Sequence, residues 1–341
     1  DAHAALVARS LGAGSCEIAP SRYRGIPLTV SVFQHMGDRQ TQEDRFTVLP
    51  NLDPEARLPC SFFGVFDGTV GDFASETVKD LVVPLLLQSS RWRGLRSLQA
   101  VHAHDALEAQ QERLLEDAVR DMYASADESL LLSCARHAQH YATCTSVTLV
   151  AVGDLLAVGH LGDSRVVLGK EVEGRMVGEL VTMDHKPDNE QERQRIEECG
   201  GTVVRLRNHG AKPFIRGGDF MVRNASGDRP MQLQYSRAFG GKDLKCFGLN
   251  SVPDVKLFRI GDRGSQAYRH VRYAILASDG LWDVVDTQRA VQIAHQAVQE
   301  GRSPSEAVVQ CALQEQWKRK AKSDNITAVC VQFDNNGARA A

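Results

Sequence analysis

The segment that decides the fold is SFFGVFDG at 61–68, an apolar run that ends in Asp67 and Gly68. A strand that is apolar at nearly every position is covered on both faces, because a half-exposed strand alternates apolar with polar residues. Similar runs occur further along the chain, as in TSVTLVAV (145–152) and YAILASD (273–279). We therefore expect sheets that are buried on both faces at the centre of the protein.

Further strands and one hairpin follow the same pattern. The other predicted strands are LTVSVFQHM (28–36), LLAVGHL (155–161), SRVVLGK (164–170) and NITAVCVQF (325–333). Gly153 and Asp154 separate two of the runs by the two residues that a tight hairpin requires, so these two strands are predicted to pair antiparallel.

Amphipathic helices are predicted between the strands, at 105–132, 189–199, 287–300 and 304–320. The apolar stripe of the first helix contains Leu107, Leu114, Leu115, Ala118 and Met122. The last helix begins with Ser303-Pro304-Ser305-Glu306, which is a capping box with proline at the first helical position. Helices combined with an antiparallel hairpin predict an α+β fold in which sheets lie between helical layers.

The domain organisation is simple. Of the 341 residues 43% are apolar and 24% charged, which excludes a disordered or coiled-coil chain. We predict an N-terminal arm at 1–25, one large domain at 26–335 and a C-terminal tail at 336–341. Residues 205–235 are polar and rich in glycine, and they predict an irregular flap or long loop.

Charge and cysteine content exclude several classes of protein. Lys and Arg number 40 and Asp and Glu 43, so the net charge of −3 gives no sign of a nucleic-acid partner. The eight cysteines lie too far apart in sequence for a zinc knuckle or a redox pair, and we expect free thiols in a reducing compartment. The longest apolar candidate, LVVPLLL at 81–87, is far shorter than the ~18 residues of a membrane span.

Acidic residues stand where the apolar strands end. They are Asp67, Asp163, Asp279 and Asp324, together with Glu43 and Asp44 after the first strand. A single aspartate of this kind is commonly a turn-former, but strands that lie side by side would bring several carboxylates together. Such a cluster requires a neutralising cation or shared protons, and oxygen ligands suit Mg²⁺ or Mn²⁺. Arg39, four residues before Glu43, suits a bidentate grip on phosphate.

These motifs resemble those of the metal-dependent Ser/Thr protein phosphatases of the 2C type. The matching strings are GDRQTQED (37–44), FFGVFDG (62–68), GHLGDSR (159–165), DHKPDNEQERQRIEECGG (184–201), SRAFG (236–240), SVPDV (251–255), LASDGLWDVV (276–285) and SDNITAV (323–329). They occur in the family's order and cover roughly 26–335, so the resemblance implies a catalytic domain of this type there. The resemblance implies an α-β-β-α sandwich of two antiparallel sheets flanked by helices.

The resemblance also implies a two-metal centre of Mg²⁺ or Mn²⁺ with a weaker third site. Asp67 would bridge the two ions and the Gly68 carbonyl would bind one of them. Asp279 and Asp324 would hold one ion and Glu43 the other, while Asp163 would join Asp279 in the third site. The catalytic residues would be Asp67, Asp44, which would orient the metal-bound water, and Arg39, which would bind the substrate phosphate. No phospho-enzyme is then needed.

Two positions depart from the family pattern. Thr69 stands where the family usually has the histidine that is its presumed general acid, and a threonine hydroxyl is far too weak an acid for that role. Gly241 stands where the family usually has aspartate, with Asp243 nearby. His35, His160 and His185 are expected to be core or surface histidines, not replacements for the missing acid.

Two functions therefore stay open. The first is a protein phosphatase that hydrolyses phosphoserine and phosphothreonine; the alternative is a pseudophosphatase or weakly active regulatory binding module, for which Thr69 argues. A metal-dependent nuclease would need a basic groove that the sequence does not show. The Cys-x5-Arg spacings at Cys16–Arg22 and Cys199–Arg205 lack the flanking residues of a thiol phosphatase.

Partners and location follow from the remaining motifs. We expect a monomer that acts on phosphorylated proteins and binds neither nucleic acid nor membrane. A sequon at Asn325 lies beside Asp324, where a glycan would block the site, and this favours a cytoplasmic protein. The basic run at 318–322 fits a nuclear import signal or a helix end that complements the dipole. Because residue 1 is Asp, a removed N-terminal targeting segment also stays open.

Overall fold

Two large antiparallel sheets contain the apolar runs. The computed structural model describes residues 16–21, 28–98, 105–206, 210–261 and 265–333. In spatial order the first sheet consists of β1 (Cys16–Ser21), β2 (Leu28–His35), β17 (Ile326–Phe333), β16 (Val271–Ala277), β9 (Arg165–Val172) and β10 (Arg175–Leu180). The second sheet consists of β15 (Asp254–Arg259), β8 (Leu155–Leu161), β7 (Ser146–Val152), β4 (Cys60–Phe66) and β3 (Arg45–Leu49).

Two small sheets lie apart from the large ones. One consists of β11 (Gly201–Leu206), β12 (Lys212–Gly217) and β13 (Gln232–Leu233), and the other of β14 (Phe239–Gly240), β6 (Thr143–Cys144) and β5 (Gly68–Thr69). The described helices are α1 (Phe73–Gln88), α2 (Ser90–Leu98), α3 (Asp105–Arg136), α4 (Glu190–Glu198), α5 (Phe220–Ala225), α6 (Lys242–Lys245), α7 (Asp279–Trp282), α8 (Thr287–Gln299) and α9 (Pro304–Lys318).

The large sheets pack face to face and helices cover their outer faces. Phe63 and Val65 on β4 contact the opposite sheet, whereas Phe62 and Phe66 face α1 and α3. Because successive side chains of a strand point to opposite faces, both faces of β4 are apolar, as the sequence predicted. Helices α8 and α9 cover the other sheet. The predicted α+β sandwich is confirmed.

Local predictions from turn and capping residues are confirmed as well. Gly153, with φ +61°, turns the chain between β7 and β8, which pair antiparallel. The Ser303 hydroxyl caps α9 by accepting a hydrogen bond from the Glu306 N–H. The seven cysteines whose side chains the structure describes are free thiols. Within the described ranges, none of the helices combines the length and hydropathy of a membrane span.

The predicted irregular loop at 205–235 was wrong in its central part. Strands β12 and β13 and helix α5 lie within this range, and β12 pairs with β11 on one side and β13 on the other. Ile215 and Leu233 are buried against Ile196 in a small separate core. The few apolar residues of this segment are enough to order it because they all pack into this one small core. The polar composition of the segment gives no sign of that core.

The predicted terminal segments are described only in part. Residues 16–21 of the arm form β1, which pairs with β2 at the edge of the first large sheet. Residues 1–15 and 22–25 of the arm and the predicted tail at 336–341 lie outside the described residues.

Candidate metal centre

The strand-end carboxylates meet at one end of the sandwich. Asp67 lies between β4 and β5, Asp279 is the first residue of α7 after β16, and Asp324 precedes β17. Asp163 follows β8, and Glu43 and Asp44 lie between β2 and β3. The site therefore draws on both large sheets, whose strands end there together.

The pKa of Asp67 shows how closely the acids are grouped. Desolvation raises this pKa well above its ordinary value, and four neighbouring carboxylates raise it further. These neighbours are, in order of effect, Asp44, Asp279, Asp163 and Asp324. The pKa of Asp279 is also raised, first by desolvation and then by Asp163. The carboxylates can all ionise only with a positive charge among them, which is the electrostatic environment of a divalent-cation site.

Asp44 is buried beneath this cluster. Its Oδ2 accepts hydrogen bonds from the Ser278 hydroxyl at 2.7 Å and the Thr327 hydroxyl at 2.8 Å. Burial raises the pKa of Asp44 to about 6, although these two hydrogen bonds oppose the shift. The Asp44 carboxyl is therefore fixed in orientation, and without a bound cation it holds its proton more tightly than an exposed aspartate does.

Glu43 and Gly68 adjoin each other on one side of the site. The Glu43 carboxylate accepts hydrogen bonds from the Gly71 N–H and the Thr41 hydroxyl, both at 3.0 Å. A Cβ at position 68 would lie 2.5 Å from the Glu43 carbonyl oxygen and 2.8 Å from Ser75 Oγ. Only glycine fits there, and its bare backbone can approach a ligand closely. This cradle suits the predicted carbonyl ligand.

Arg39 and Asp324 form an ion pair at the rim. Arg39 Nη2 lies 2.7 Å from Asp324 Oδ2, and the Arg39 side chain is 58% exposed. The structure thus brings the predicted phosphate-binding residue to the cluster. A cation bound by Asp324 would compete with this ion pair, which would free the guanidinium for a phosphate.

Asp163 also has a cationic partner, the Lys186 ammonium group. Burial lowers the pKa of Lys186, but the carboxylates of Asp163, Asp184 and Asp279 together outweigh this effect, and the pKa lies above its ordinary value. Asp163 and Asp279 line one polar cleft together with Arg165, Lys186 and Lys212. Lys186 thus places a positive charge at the predicted third metal site.

Asp243, the acidic residue two positions after Gly241, has a structural role. Its carboxylate accepts hydrogen bonds from Arg223 Nη2 at 2.6 Å and from the Met231 N–H at 3.0 Å. It therefore fastens α5 to α6. Gly241 has φ +67°, and a Cβ there would lie 2.6 Å from Thr143 Cγ2, so aspartate would be strained at this position.

Thr69 is part of a chain of hydroxyl groups that the sequence did not indicate. The Tyr235 hydroxyl donates a 2.9 Å hydrogen bond to Thr69 Oγ1. It lies equally close to Thr143 Oγ1, which must donate to it because the only Tyr235 proton is already used. Burial raises the pKa of Tyr235, so the phenol keeps its proton. The one sequence signal was a tyrosine immediately before the SRAFG motif.

The histidines lie in other hydrogen-bonded positions. His35 Nδ1 accepts from the Gly37 N–H at 2.9 Å. His160 and His185 stack with their ring centroids 4.2 Å apart, and their nitrogens and a carboxylate oxygen of Asp254 lie within 4.8 Å of one another. His160 was predicted to be an ordinary core histidine; it is buried, but its Nε2 has no partner among the described residues.

The His160–His185–Asp254 group is poorly suited to a metal despite this spacing. His185 Nδ1 accepts the Gly162 N–H at 3.1 Å, so the ring proton of neutral His185 lies on Nε2. That nitrogen lies 3.2 Å from Asp254 Oδ2 and donates to it. Desolvation lowers the pKa of His160 to about 3, so its ring is neutral. We interpret the group as a structural link between the 184–188 loop and β15.

Asn325 ties the two loops of the centre together. Its Oδ1 accepts the Glu43 N–H at 2.8 Å, and its Nδ2 donates to the carbonyls of Met36 at 2.8 Å and Thr41 at 3.0 Å. The side chain is buried and fully engaged, so the folded protein cannot present the Asn325 sequon to a glycosyltransferase.

Comparison with known proteins agrees with this geometry. The sequence profile described as protein phosphatase 2C matches residues 29–326. The chain belongs to the protein phosphatase 2C family. A crystal structure of serine-threonine phosphatase 2C from Toxoplasma gondii is 47% identical, with a TM-score of 0.85 over 94% of this chain and 99% of that one.

Two plant relatives show the same membership. Probable protein phosphatase 2C 6 of Arabidopsis thaliana is 31% identical over 98% of this chain and 67% of its own length. Probable protein phosphatase 2C 48 of Oryza sativa subsp. japonica is 34% identical over 83% of this chain and 80% of its own length. The protein phosphatase 2C chain described here is thus an enzyme of the protein-serine/threonine phosphatase class, which confirms the predicted resemblance.

Proposed function

We propose that this chain hydrolyses phosphoserine and phosphothreonine in proteins with a dinuclear Mg²⁺ or Mn²⁺ centre. The observation that carries the proposal is the convergence on Asp67 of four further carboxylates, which raises its pKa. Family membership supplies the reaction class. We further propose that the protein acts as a monomer on phosphorylated proteins in the cytoplasm, with its catalytic domain at 26–335.

The donor set fits two hard cations. Asp67 would bridge them, the Gly68 carbonyl and Glu43 would complete one side, and Asp279 and Asp324 the other. When bound, such ions supply Lewis-acid activation of a water molecule and neutralise charge on the phosphoryl oxygens. Asp163 would join Asp279 in a weaker third site, where Lys186 competes with the ion.

Asp44 is suited to orient the attacking water. Ser278 and Thr327 both bond to Oδ2, so we assign Oδ1 to the water. Burial raises the pKa of Asp44 in the metal-free protein, and cations bound beside it would oppose that rise, so the carboxylate would be ionised and could accept a hydrogen bond from this water.

Arg39 would hold the phosphate. Its guanidinium is largely exposed at the rim and reaches the cluster through Asp324. If a phosphate replaced Asp324 as the partner of Arg39, the guanidinium would still make one charge-assisted hydrogen bond. It would gain a second one, because its two N–H groups match two phosphate oxygens.

Thr69 would act on the leaving group as a hydrogen-bond donor, not as an acid. Tyr235 donates to Thr69 Oγ1, so the Thr69 proton is free to point elsewhere. Thr69 follows Asp67 and Gly68 directly, which puts its hydroxyl at the edge of the centre. A donor aimed at the leaving oxygen stabilises developing negative charge without transferring a proton.

The test is hydrolysis of a phosphothreonine peptide in Mn²⁺, in Mg²⁺ and in excess EDTA. Activity that requires either metal supports the proposal, and equal rates with the chelator would contradict a dinuclear mechanism. If calorimetry shows Mn²⁺ binding while no peptide is hydrolysed, the alternative of a pseudophosphatase that binds phosphoproteins is favoured.

A further inference from the structure

The basic run at the end of α9 carries an unusually exposed tryptophan. Residues 317–322 read Trp-Lys-Arg-Lys-Ala-Lys. Trp317 is 81% exposed, which is the largest exposure among the large apolar side chains of the described residues. An exposed indole beside cations is typical of surfaces that bind another molecule.

The start of this segment is fixed beside the metal-ligand helix. Gln316 Nε2 donates to the Gly280 carbonyl at 3.0 Å, next to Asp279. The Arg319 guanidinium donates to the carbonyls of Asp283 and Val284, both at 3.2 Å. The position of the segment relative to α7 is therefore set by three hydrogen bonds.

The end of the segment is fixed beside Arg39. The Ser323 N–H donates to Asp38 Oδ2 at 2.8 Å, and the Asp38 N–H donates to the Ser323 carbonyl at 3.1 Å. Lys322 precedes Asp324 by only two residues, so their Cα atoms are at most about 7 Å apart. The segment thus connects two ligand-bearing parts of the proposed centre.

Two of the four cations in the segment are uncommitted. Lys318 pairs with Glu315 at 2.9 Å and Arg319 is bound to carbonyls. Lys320 and Lys322 are exposed, and neither takes part in an ion pair among the residues that the structure describes. Lys320 has φ +52°, and its N–H donates to the Trp317 carbonyl at 3.0 Å, so the chain reverses there.

We propose that Trp317, Lys320 and Lys322 form a docking surface for acidic residues that flank the phosphoresidue of the protein substrate. This inference rests on the proposed function and adds a substrate preference to it. An extended peptide advances about 3.3 Å per residue, so an acidic residue two to four positions from the phosphoresidue would reach the lysines. The indole would cover the apolar part of the same peptide.

The kinetic test compares two phosphothreonine peptides that differ only in flanking residues, glutamate in one and glutamine in the other. We expect kcat/KM in Mn²⁺ to favour the acidic peptide about fivefold, and to do so less in 0.5 M KCl because salt screens exposed charges. In the double variant Lys320→Gln/Lys322→Gln the ratio should fall to about one. The matched control is Arg113→Gln/Arg136→Gln, two exposed cations on α3 in the opposite helical layer, which should keep the preference.

A binding test needs no turnover. Trp92 and Trp282 are 1% and 6% exposed, so acrylamide quenching of tryptophan fluorescence reports mainly Trp317. In EDTA the acidic peptide should protect Trp317 from quenching, and the Lys320→Gln/Lys322→Gln variant should lose this protection.

The outcomes separate the two proposals. If neither peptide is hydrolysed in any metal, the proposed function fails, while protection of Trp317 would still support the docking surface. Equal kcat/KM for both peptides, or a preference that persists in the lysine variant, would overturn the docking surface. Protection of Trp317 by phosphatidylserine vesicles but not by the acidic peptide would also overturn it, and would assign the segment to membranes.

Discussion

The Tyr235 hydroxyl and Thr69 Oγ1 lie 2.9 Å apart, with the phenol donating, across 166 residues of chain. This contact provides the Thr69 hydroxyl with a fixed hydrogen-bond donor, at the position where the resemblance to the family led us to expect histidine. Thr69 therefore has a tyrosine, Tyr235 from the segment between β13 and β14, as its hydrogen-bond partner.

Replacement of Tyr235 by phenylalanine should reveal whether this contact matters for catalysis. Loss of the donor leaves the Thr69 hydroxyl free to rotate, so we expect kcat on a phosphothreonine peptide to fall about tenfold. The fall on p-nitrophenyl phosphate should be less than about twofold, since its leaving group needs little stabilisation.

The matched control for this variant is Tyr123→Phe. Tyr123 is another buried tyrosine, bonded to the hydroxyls of Ser146 and Thr148 at 3.0 and 3.1 Å. Its loss should affect stability but leave the ratio of the two substrates unchanged. A similar ratio in both variants would indicate that Tyr235 is merely structural.

Restoring the histidine should require a second change. An imidazole at position 69 must displace the phenol, because the two hydroxyl oxygens are already in hydrogen-bond contact. We expect Thr69→His alone to slow peptide hydrolysis, and Thr69→His/Tyr235→Ala to recover it. The double variant should also gain a falling limb at alkaline pH on the peptide, as the imidazolium loses its proton. The measurement is a pH–rate profile on both substrates, and a gain from Thr69→His alone would contradict the steric argument.

The sequence predicted the acids of the site because they lie next to the ends of recognisable apolar strands, with Asp324 before its strand and the others after theirs. It could not establish their convergence, which depends on strand register, for example on Ile326 pairing with His35. It also missed Tyr235 and the role of Asp243, because their partners Thr69 and Arg223 become neighbours only through tertiary packing. The segment at 205–235 was predicted as irregular since its small core gathers residues from outside that range.

Asp67→Asn should abolish metal binding and activity while stabilising the metal-free protein. The substitution removes the carboxylate that four others repel, so the melting temperature in EDTA should rise at neutral pH. Calorimetric titration with Mn²⁺ should show no binding at the dinuclear centre. Asp228→Asn is the control, since Asp228 pairs with Arg223 away from the cluster. Unchanged Mn²⁺ affinity in Asp67→Asn would show that Asp67 is not the bridge.

Arg39→Ala should separate phosphate binding from metal binding. Loss of a charged hydrogen bond to the phosphate should raise KM about tenfold or more. Mn²⁺ affinity should be equal to that of the wild type or higher, because Asp324 loses a competing cation. Steady-state kinetics and calorimetry measure the two effects, and Arg302→Ala, which breaks an exposed pair with Glu300, is the control. Weaker Mn²⁺ binding would count against the assigned role.

The buried Asp44 makes the stability of the metal-free protein depend on pH. Its pKa is about 6 in the folded protein and about 3.9 in an unfolded chain. The folded state therefore holds this proton more tightly. The stabilisation that protonated Asp44 contributes to the folded protein is fully present below about pH 4, and it is lost as the pH rises through 6.

The measurement is the melting temperature in EDTA from pH 4.5 to 7.5 for the wild type and Asp44→Asn. The wild type should lose stability relative to the variant by about 2 kcal/mol across this range, because at pH 4.5 the unfolded chain has already released most of this proton. With Mn²⁺ the trend should reverse, because the ion competes with protons for the carboxylates. A constant difference between the two proteins in EDTA would show that Asp44 keeps an ordinary pKa.

The Asn325 link has a consequence for how the protein is made. Glu43 and Asn325 are 282 residues apart, so the Glu43 loop leaves the ribosome long before its partner is synthesised. β2 and β17 pair in the same way from opposite ends of the chain. Contacts of such long sequence separation form late in folding. A nascent or truncated chain that ends before β17 would therefore contain most of the acids without the β2–β17 pairing and the Asn325 link, so the proposed centre could form only after β17 has been synthesised.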